Sequence, residues 1–117
     1  MRSAVVLWMI VASVATGENT FTATGSLATG RQTAGAILMG NGKVLMAGGT
    51  GASRELSSAE VYDPVTGRWS VTGSLGTPRQ NHNATLLTNG RLLMTGGFFY
   101  TQGTLSSAEL YELPVSR

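Results

Sequence analysis

Apolar residues after position 20 fall in short runs, each stopped by a turn signal, and no stretch carries the 3.6-residue period of an amphipathic helix. Residues 34–39 and 83–87 are mixed runs that end apolar, and Asn41-Gly42 and Asn89-Gly90 follow at once. Asn-Gly between two apolar runs is the strongest short hairpin signal, because a type I′ turn needs positive φ at both central residues. Residues 43–47 and 91–95 are then the return strands. A third strand is expected at 59–62 and again at 108–111. A fourth is expected at 68–72, entered through Asp63-Pro64-Val65-Thr66-Gly67, where Pro presets φ and Gly accepts the left-handed conformation. Residues 20–24, with Phe21 in the place of Trp69, are its earlier equivalent. The pattern predicts an all-β chain of antiparallel strands in the order d-a-b-c-d-a-b-c.

The chain repeats itself. Thr24-Gly25-Ser26-Leu27 returns as Thr72-Gly73-Ser74-Leu75, Arg31-Gln32 as Arg79-Gln80, and Gly48-Gly49 as Gly96-Gly97, each 48 positions on. Leu56-Ser57-Ser58-Ala59-Glu60-Val61-Tyr62 returns as Leu105-Ser106-Ser107-Ala108-Glu109-Leu110-Tyr111 at an offset of 49. One residue has therefore entered after the second Gly-Gly, which marks that stretch as a loop. The paired glycines point to a backbone conformation, or a close approach, that a Cβ would block.

Composition narrows the classes. A length of 117 residues allows one ordinary domain, and 12% charged with 42% hydrophobic residues excludes a charge-driven disordered chain. The 16 glycines fit many tight turns. The net charge is +2 and the eight Lys and Arg are scattered, so no nucleic-acid partner is expected. With no Cys, disulfides and Cys-based metal sites are excluded. Residues 1–15 place Arg2 before an apolar run and end in Ser13-Val14-Ala15, the pattern of a secretory signal peptide. The alternative is a buried strand of a preceding, degraded unit. The run is too short to span a bilayer, which takes about 20 residues. A cleaved leader would make the protein secreted or extracellular.

Several marks recur in fixed order: Arg31 or Arg79, the Asn-Gly turn, Gly48-Gly49 or Gly96-Gly97, Glu60-Val61-Tyr62-Asp63-Pro64, and Trp69 after Thr66-Gly67. A four-stranded unit of about 50 residues with these marks resembles the kelch repeat of β-propellers. The resemblance covers roughly residues 20–113. It is similar in detail to bacterial extracellular kelch proteins related to the central domain of galactose oxidase. It implies two antiparallel four-stranded blades, one in each repeat frame of about 20–68 and 69–117. It also makes Gly48, Gly49, Gly96, Gly97, Glu60, Glu109, Tyr62, Tyr111 and Trp69 the structural motif. The second unit departs from the pattern, ending in Tyr111-Glu112-Leu113-Pro114 before any aromatic fourth strand. The family's usual His is present as His82 and replaced by Ala34 in the first unit. Kelch rings usually have six or seven blades.

Galactose oxidase chemistry, as the resemblance implies it, needs copper held by Tyr and His, with one Tyr cross-linked to Cys. A chain with no Cys and one His cannot build that site. No catalytic residue, cofactor or metal ligand is assigned. Arg31 with Glu60, and Arg79 with Glu109, occupy matching positions, and one such pair inside each blade would be structural. His82, at the entrance of an inner strand, is either a ligand contact at the ring mouth or a packed structural residue; with no partner constellation the second is preferred. Trp69, Phe21, Tyr62 and Tyr111 read as aromatics packed between blades. Phe98-Phe99-Tyr100 lie in the variable loop. They are either a contact surface for a protein or glycan, or a cover tucked over the blade edge. Arg54, Arg31, Arg79 and His82 complete the candidate partner contacts. The sequon Asn83-Ala84-Thr85 falls on an inner strand, where a glycan is not expected.

The expected function is a non-catalytic binding or scaffold module. Its ligand loops are 49–56 and 97–105, sharing a face with 25–30 and 73–78. The alternative is part of a galactose-oxidase-like enzyme whose catalytic residues lie outside this chain. Two blades leave two apolar faces open, fewer than the three repeats normally needed. The chain is thus expected to be a fragment of a larger propeller, or to self-associate head to tail, three copies giving six blades.

Overall fold

A computed structural model describes residues 19–113, and these are all-β with no helix. The expected leader, residues 1–15, lies outside the described residues. Four strands, β1 (Gly35–Leu38), β2 (Val44–Ala47), β3 (Ala59–Asp63) and β4 (Arg68–Thr72), form one antiparallel sheet in chain order. β5 (Asn83–Leu86) and β6 (Leu92–Thr95) join β9 (Ala108–Tyr111) in a second sheet of three. Between β6 and β9, β7 (Phe98–Phe99) and β8 (Gly103–Thr104) make a small hairpin. The one-residue insertion falls here, and an amide from Gln102 to the Phe99 carbonyl at 2.9 Å closes the turn. The stretch read as a loop is thus partly a strand pair.

The pairing in the second sheet repeats that in the first. Met46 faces Glu60 and Met94 faces Glu109; Val44 faces Tyr62 and Leu92 faces Tyr111. Successive side chains of a strand point to opposite faces. Leu45 and Ala47 of β2 therefore turn together toward one side, while Leu92 and Met94 of β6 turn to the side where these can meet. With Met39 and Ala59 they form the core, which lies between the two sheets.

The hairpin turns differ from the type I′ expectation. Gly42 and Gly90 have φ of 87° and 89°, but Asn41 and Asn89 do not have positive φ. The loops are three residues long: the Met39 amide donates to Lys43 and the Gly42 amide to Met39. The Asn41 carboxamide oxygen accepts the Lys43 amide at 3.0 Å, as that of Asn89 accepts the Arg91 amide at 3.1 Å. The asparagines act through their side chains, and only the glycine enters the left-handed region, the usual arrangement of a three-residue hairpin. The Asp63–Gly67 turn is as read, with the Gly67 amide on the Asp63 carbonyl and Gly67 at φ 72°.

Two expectations about outer strands fail. The second sheet has three strands, because β9 has no outer neighbour among the described residues. Residues 20–24 are not a strand, and Phe21 is fully exposed rather than packed between blades. A fourth strand needs a third strand to pair with, and none stands free beside residues 20–24 among the described residues. The segment is anchored at its end nearest the first sheet. The Thr24 hydroxyl meets the Tyr62 hydroxyl at 2.7 Å, and the Gly25 amide donates to the Gly67 carbonyl at 3.0 Å. The Trp69 indole N–H donates to the Gly25 carbonyl at 3.0 Å.

Candidate functional site

Each sheet has an arginine clamp at the end where the 2–3 and 4–1 loops emerge. The Arg31 guanidinium donates to the carbonyls of Gly48 and Ser58, to the Ser58 hydroxyl, and to Glu60 Oε2 at 2.9 Å. Glu60 also accepts the amides of Ala28 and Thr29. Arg79 repeats every contact, to Gly96, Ser107 and Glu109, while Glu109 accepts the amides of Gly76 and Thr77. One ion pair thus ties the 4–1 loop, the Gly-Gly end of the second strand and the start of the third. Burial alone would raise the Glu60 carboxyl. The Ala28 amide, the Arg31 guanidinium and the Thr29 amide outweigh it and hold the pKa below its ordinary value. Glu109 is held low in the same way by Gly76, Thr77 and Arg79. The Arg–Glu pairing read from the repeat is therefore present in both sheets.

This corrects part of the candidate contact set. The side chains of Arg31 and Arg79 are wholly buried, and His82 is 7% exposed. None of the three presents its side chain to a partner, because each is spent on packing the sheets. The His82 ring lies against Gly35 and Gly48 of the first sheet. Neither ring nitrogen has a hydrogen-bond partner among the described residues. Burial pushes its pKa below the ordinary imidazole value; the Ala47 backbone opposes this and the Arg79 charge adds to it.

The glycine pairs serve the same junction. Gly48 and Gly49 have φ of 70° and 90°. A Cβ on Gly48 would stand 2.6 Å from the Arg79 carbonyl oxygen of the next unit, and one on Gly49 would stand 2.5 Å from that of Gln32. Both of the reasons read from sequence, conformation and close approach, apply.

On the loop face, Gln80 links the two units. Its backbone pairs with Phe98 in both directions, at 3.1 and 2.9 Å, which fixes the β7–β8 hairpin against the entry to β5. Its side-chain oxygen accepts the hydroxyls of Thr50 at 2.8 Å and Thr33 at 3.3 Å. Its amide nitrogen donates to Glu55 Oε2 at 2.9 Å. Glu55 is 8% exposed, and its other oxygen accepts the Tyr100 amide at 3.4 Å. Thr33 and Asn81 both adopt φ 54°, a left-handed conformation uncommon for a β-branched residue, and the Asn81 amide donates to the Thr33 carbonyl.

These contacts frame a groove of about 370 Å³ between the two 2–3 loops, lined by Thr50, Ser53, Arg54 and Glu55 on one side and Phe99, Tyr100 and Thr101 on the other. The structure brings Arg54, Phe99 and Tyr100 together, as the candidate set grouped them. Phe98 flanks the groove at 39% exposure, and Tyr100 is 78% exposed. An exposed ring, a guanidinium, a carboxylate and hydroxyls can hold a polar chain by stacking and hydrogen bonding. Among the described residues no group of three His, Cys, Asp or Glu could hold a metal ion, and no helix is long and apolar enough to cross a membrane.

Residues 36–76 match the kelch motif. The match takes in all of the first sheet but Gly35, including Gly48-Gly49, Glu60, Tyr62 and Trp69, and ends in the loop whose backbone Glu109 holds. The first sheet thus carries a kelch motif. Among curated proteins none matches the chain.

Glu55 and Gln80 were not among the residues picked from sequence. Glu55 gave no repeat signal, since Thr104 stands at its place in the second unit. Gln80 did give one, as the repeat of Gln32, but Gln32 lacks its role because no unit precedes the first blade among the described residues.

Proposed function

We propose that this chain is a non-catalytic binding module made of two kelch-type blades, the second sheet being the second blade. Its ligand is a segment of another protein lying in the groove between loops 49–56 and 97–105. The observation that carries this reading is the exposed Tyr100, which a hairpin that the first blade lacks brings into one groove with Arg54 and the buried Glu55. An aromatic and an Arg at the centre of a concave site are the residue types that dominate protein recognition. The rigid base beneath them, from Gln80 to Thr50, keeps the ordering cost of binding low. Export to an extracellular setting, from the leader pattern, is part of the same proposal.

Selection of a random peptide library displayed on phage against the whole chain tests it. Peptides that bind are expected to lose at least about tenfold in affinity on Tyr100→Ala and on Arg54→Ala, about 1.4 kcal/mol each. They should be indifferent to Val65→Ala, an exposed position in the turn at the opposite end of the first blade. Binders that ignore Tyr100 and Arg54 would place the ligand elsewhere and overturn the proposal.

A further inference from the structure

The two ends of the described chain are complementary. In the first blade β3 is covered by β4, whereas its equivalent in the second, β9, has no outer neighbour among the described residues. Leu110 on that edge is 50% exposed. At the other end, residues 21–24 are the repeat equivalent of the end of β4, yet belong to no sheet. They nevertheless stand where an outer strand stands. The Thr24–Tyr62 hydroxyl contact of 2.7 Å is repeated as Thr72–Tyr111, also 2.7 Å. Thr72 ends β4, and its bond to Tyr111 is part of the contact between the two blades. Residue 24 therefore meets the first blade as the end of β4 meets the second. Among the described residues, segment 21–24 has no inner strands to cover and β5-β6-β9 has no outer strand.

We infer that residues 21–24 of one copy of this chain pair as the fourth strand on β9 of a second copy. The register follows from the first blade, where Ala59 faces Thr72, Val61 faces Ser70 and Tyr62 faces Trp69. Thr24 then faces Ala108, Thr22 faces Leu110 and Phe21 faces Tyr111. Phe21, fully exposed in the single copy, takes the place of Trp69, whose ring centre lies 5.1 Å from that of Tyr62. The existing interface between blades is continued across the junction: the second blade of one copy lies against the first blade of the next as the first lies against the second here. The edge of β9 and the segment that covers it differ, so the contact is heterologous and runs head to tail.

The chain has no cysteine, which makes the register directly testable by disulfide trapping. Facing residues of an antiparallel pair have Cα atoms about 4.5–5.5 Å apart, within the roughly 4.4–6.8 Å that a disulfide spans. A mixture of Thr22→Cys and Leu110→Cys chains, oxidised, is expected to give a covalent dimer. A mixture of Ala23→Cys and Leu110→Cys is expected to give at least tenfold less, because residue 23 points to the other face. All three positions are surface-exposed, and circular dichroism checks that each variant keeps its strands. Light scattering on the unaltered chain needs no variant: the mass should at least double from 12.2 kDa as concentration rises, and Phe21→Asp should abolish the rise. A 12.2 kDa species at every soluble concentration overturns the inference. So does equal trapping of both cysteine pairs, or a rise in mass with no trapping of Thr22 to Leu110.

Discussion

Replacing Glu60 by Gln removes one charge and one acceptor from the best-buried clamp. The Arg31 and Glu60 side chains are 0% and 2% exposed, and their N···O distance is 2.9 Å. At an effective dielectric of about 20, unit charges at that separation attract by roughly 6 kcal/mol. Gln keeps one oxygen, so part of this returns as a hydrogen bond. Its amide group, however, must face the Ala28 or Thr29 amide, donor against donor. Removing one partner of a buried pair generally costs about 3–5 kcal/mol, and that is the loss expected here. Glu109 makes the same bonds with its side chain 27% exposed. Water can reach the charge left behind, so Glu109→Gln should cost less, roughly 1–3 kcal/mol. A third variant separates charge from clamp. Arg31→Met with Glu60→Leu removes both charges, a change that is often neutral. Here it also orphans the amides of Ala28 and Thr29 and the carbonyl of Gly48, at about 1–3 kcal/mol for each group that stays buried. The double variant should therefore not regain the stability of the parent chain. Urea unfolding at one fixed protein concentration, followed by circular dichroism, reads all three, and Glu60→Gln should lower the midpoint by at least about 1 M. A smaller loss for Glu60→Gln than for Glu109→Gln, or full recovery in the double variant, would refute the clamp.

Three further outcomes follow from the same geometry. Gly48→Ala should destabilise more than Gly96→Ala. Both residues have φ near 70°, but a Cβ at 48 meets the Arg79 carbonyl at 2.6 Å, and one at 96 meets nothing nearer than 3.6 Å. The second substitution should show only the left-handed strain of about 1–2 kcal/mol, and equal losses by thermal melting would sink the argument. The folded pKa of His82 lies below its ordinary value of 6.5, so the unfolded chain takes up a proton that the folded chain refuses. Stability should be full above pH 6.5 and fall as pH drops below it. Glu60 and Glu109, held below 4.5, should add their own loss only beneath that value. His82→Phe should remove the first phase, and a profile flat from pH 7 to about 5 in the parent chain would contradict the burial argument. If residues 1–15 are a leader, protein exported from a bacterial host should show an intact mass lacking them; a chain still beginning at Met1 would refute it.

The strands inside each unit were legible in the sequence because their signals are local. Strand β4 at 68–72 and strand β9 at 108–111 fall where the alternation and turn residues put them; β2, β3, β5 and β6 differ by a residue at one end, β1 by one at each end, and the short β7 and β8 lie in a stretch read as a loop. What sequence reasoning missed was never a matter of propensity. Residues 20–24 carry the composition of β4, but a strand is defined by its neighbour, and no such neighbour stands among the described residues. The Asn-Gly turns were read as two-residue loops. The motif does not tell a turn with Asn in the left-handed region from one in which its carboxamide caps the next amide.

The site divides along the same line. The Arg–Glu clamps could be foreseen because both partners recur at the same offset, so that one pairing explained two. Their burial could not, and it is burial that takes Arg31, Arg79 and His82 out of the recognition surface. The groove itself comes from the places where the repeat fails: Glu55, whose counterpart is Thr104, and the hairpin opened by the extra residue after Gly96-Gly97. In a repeat architecture the repeated positions must satisfy the same packing in each blade, so they are bound to structure. Positions free of that demand can be shaped by a ligand. Glu55, buried with one side-chain amide and one long backbone contact rather than an arginine, illustrates the difference: its twin position carries no carboxylate, so the packing of a blade does not require one there.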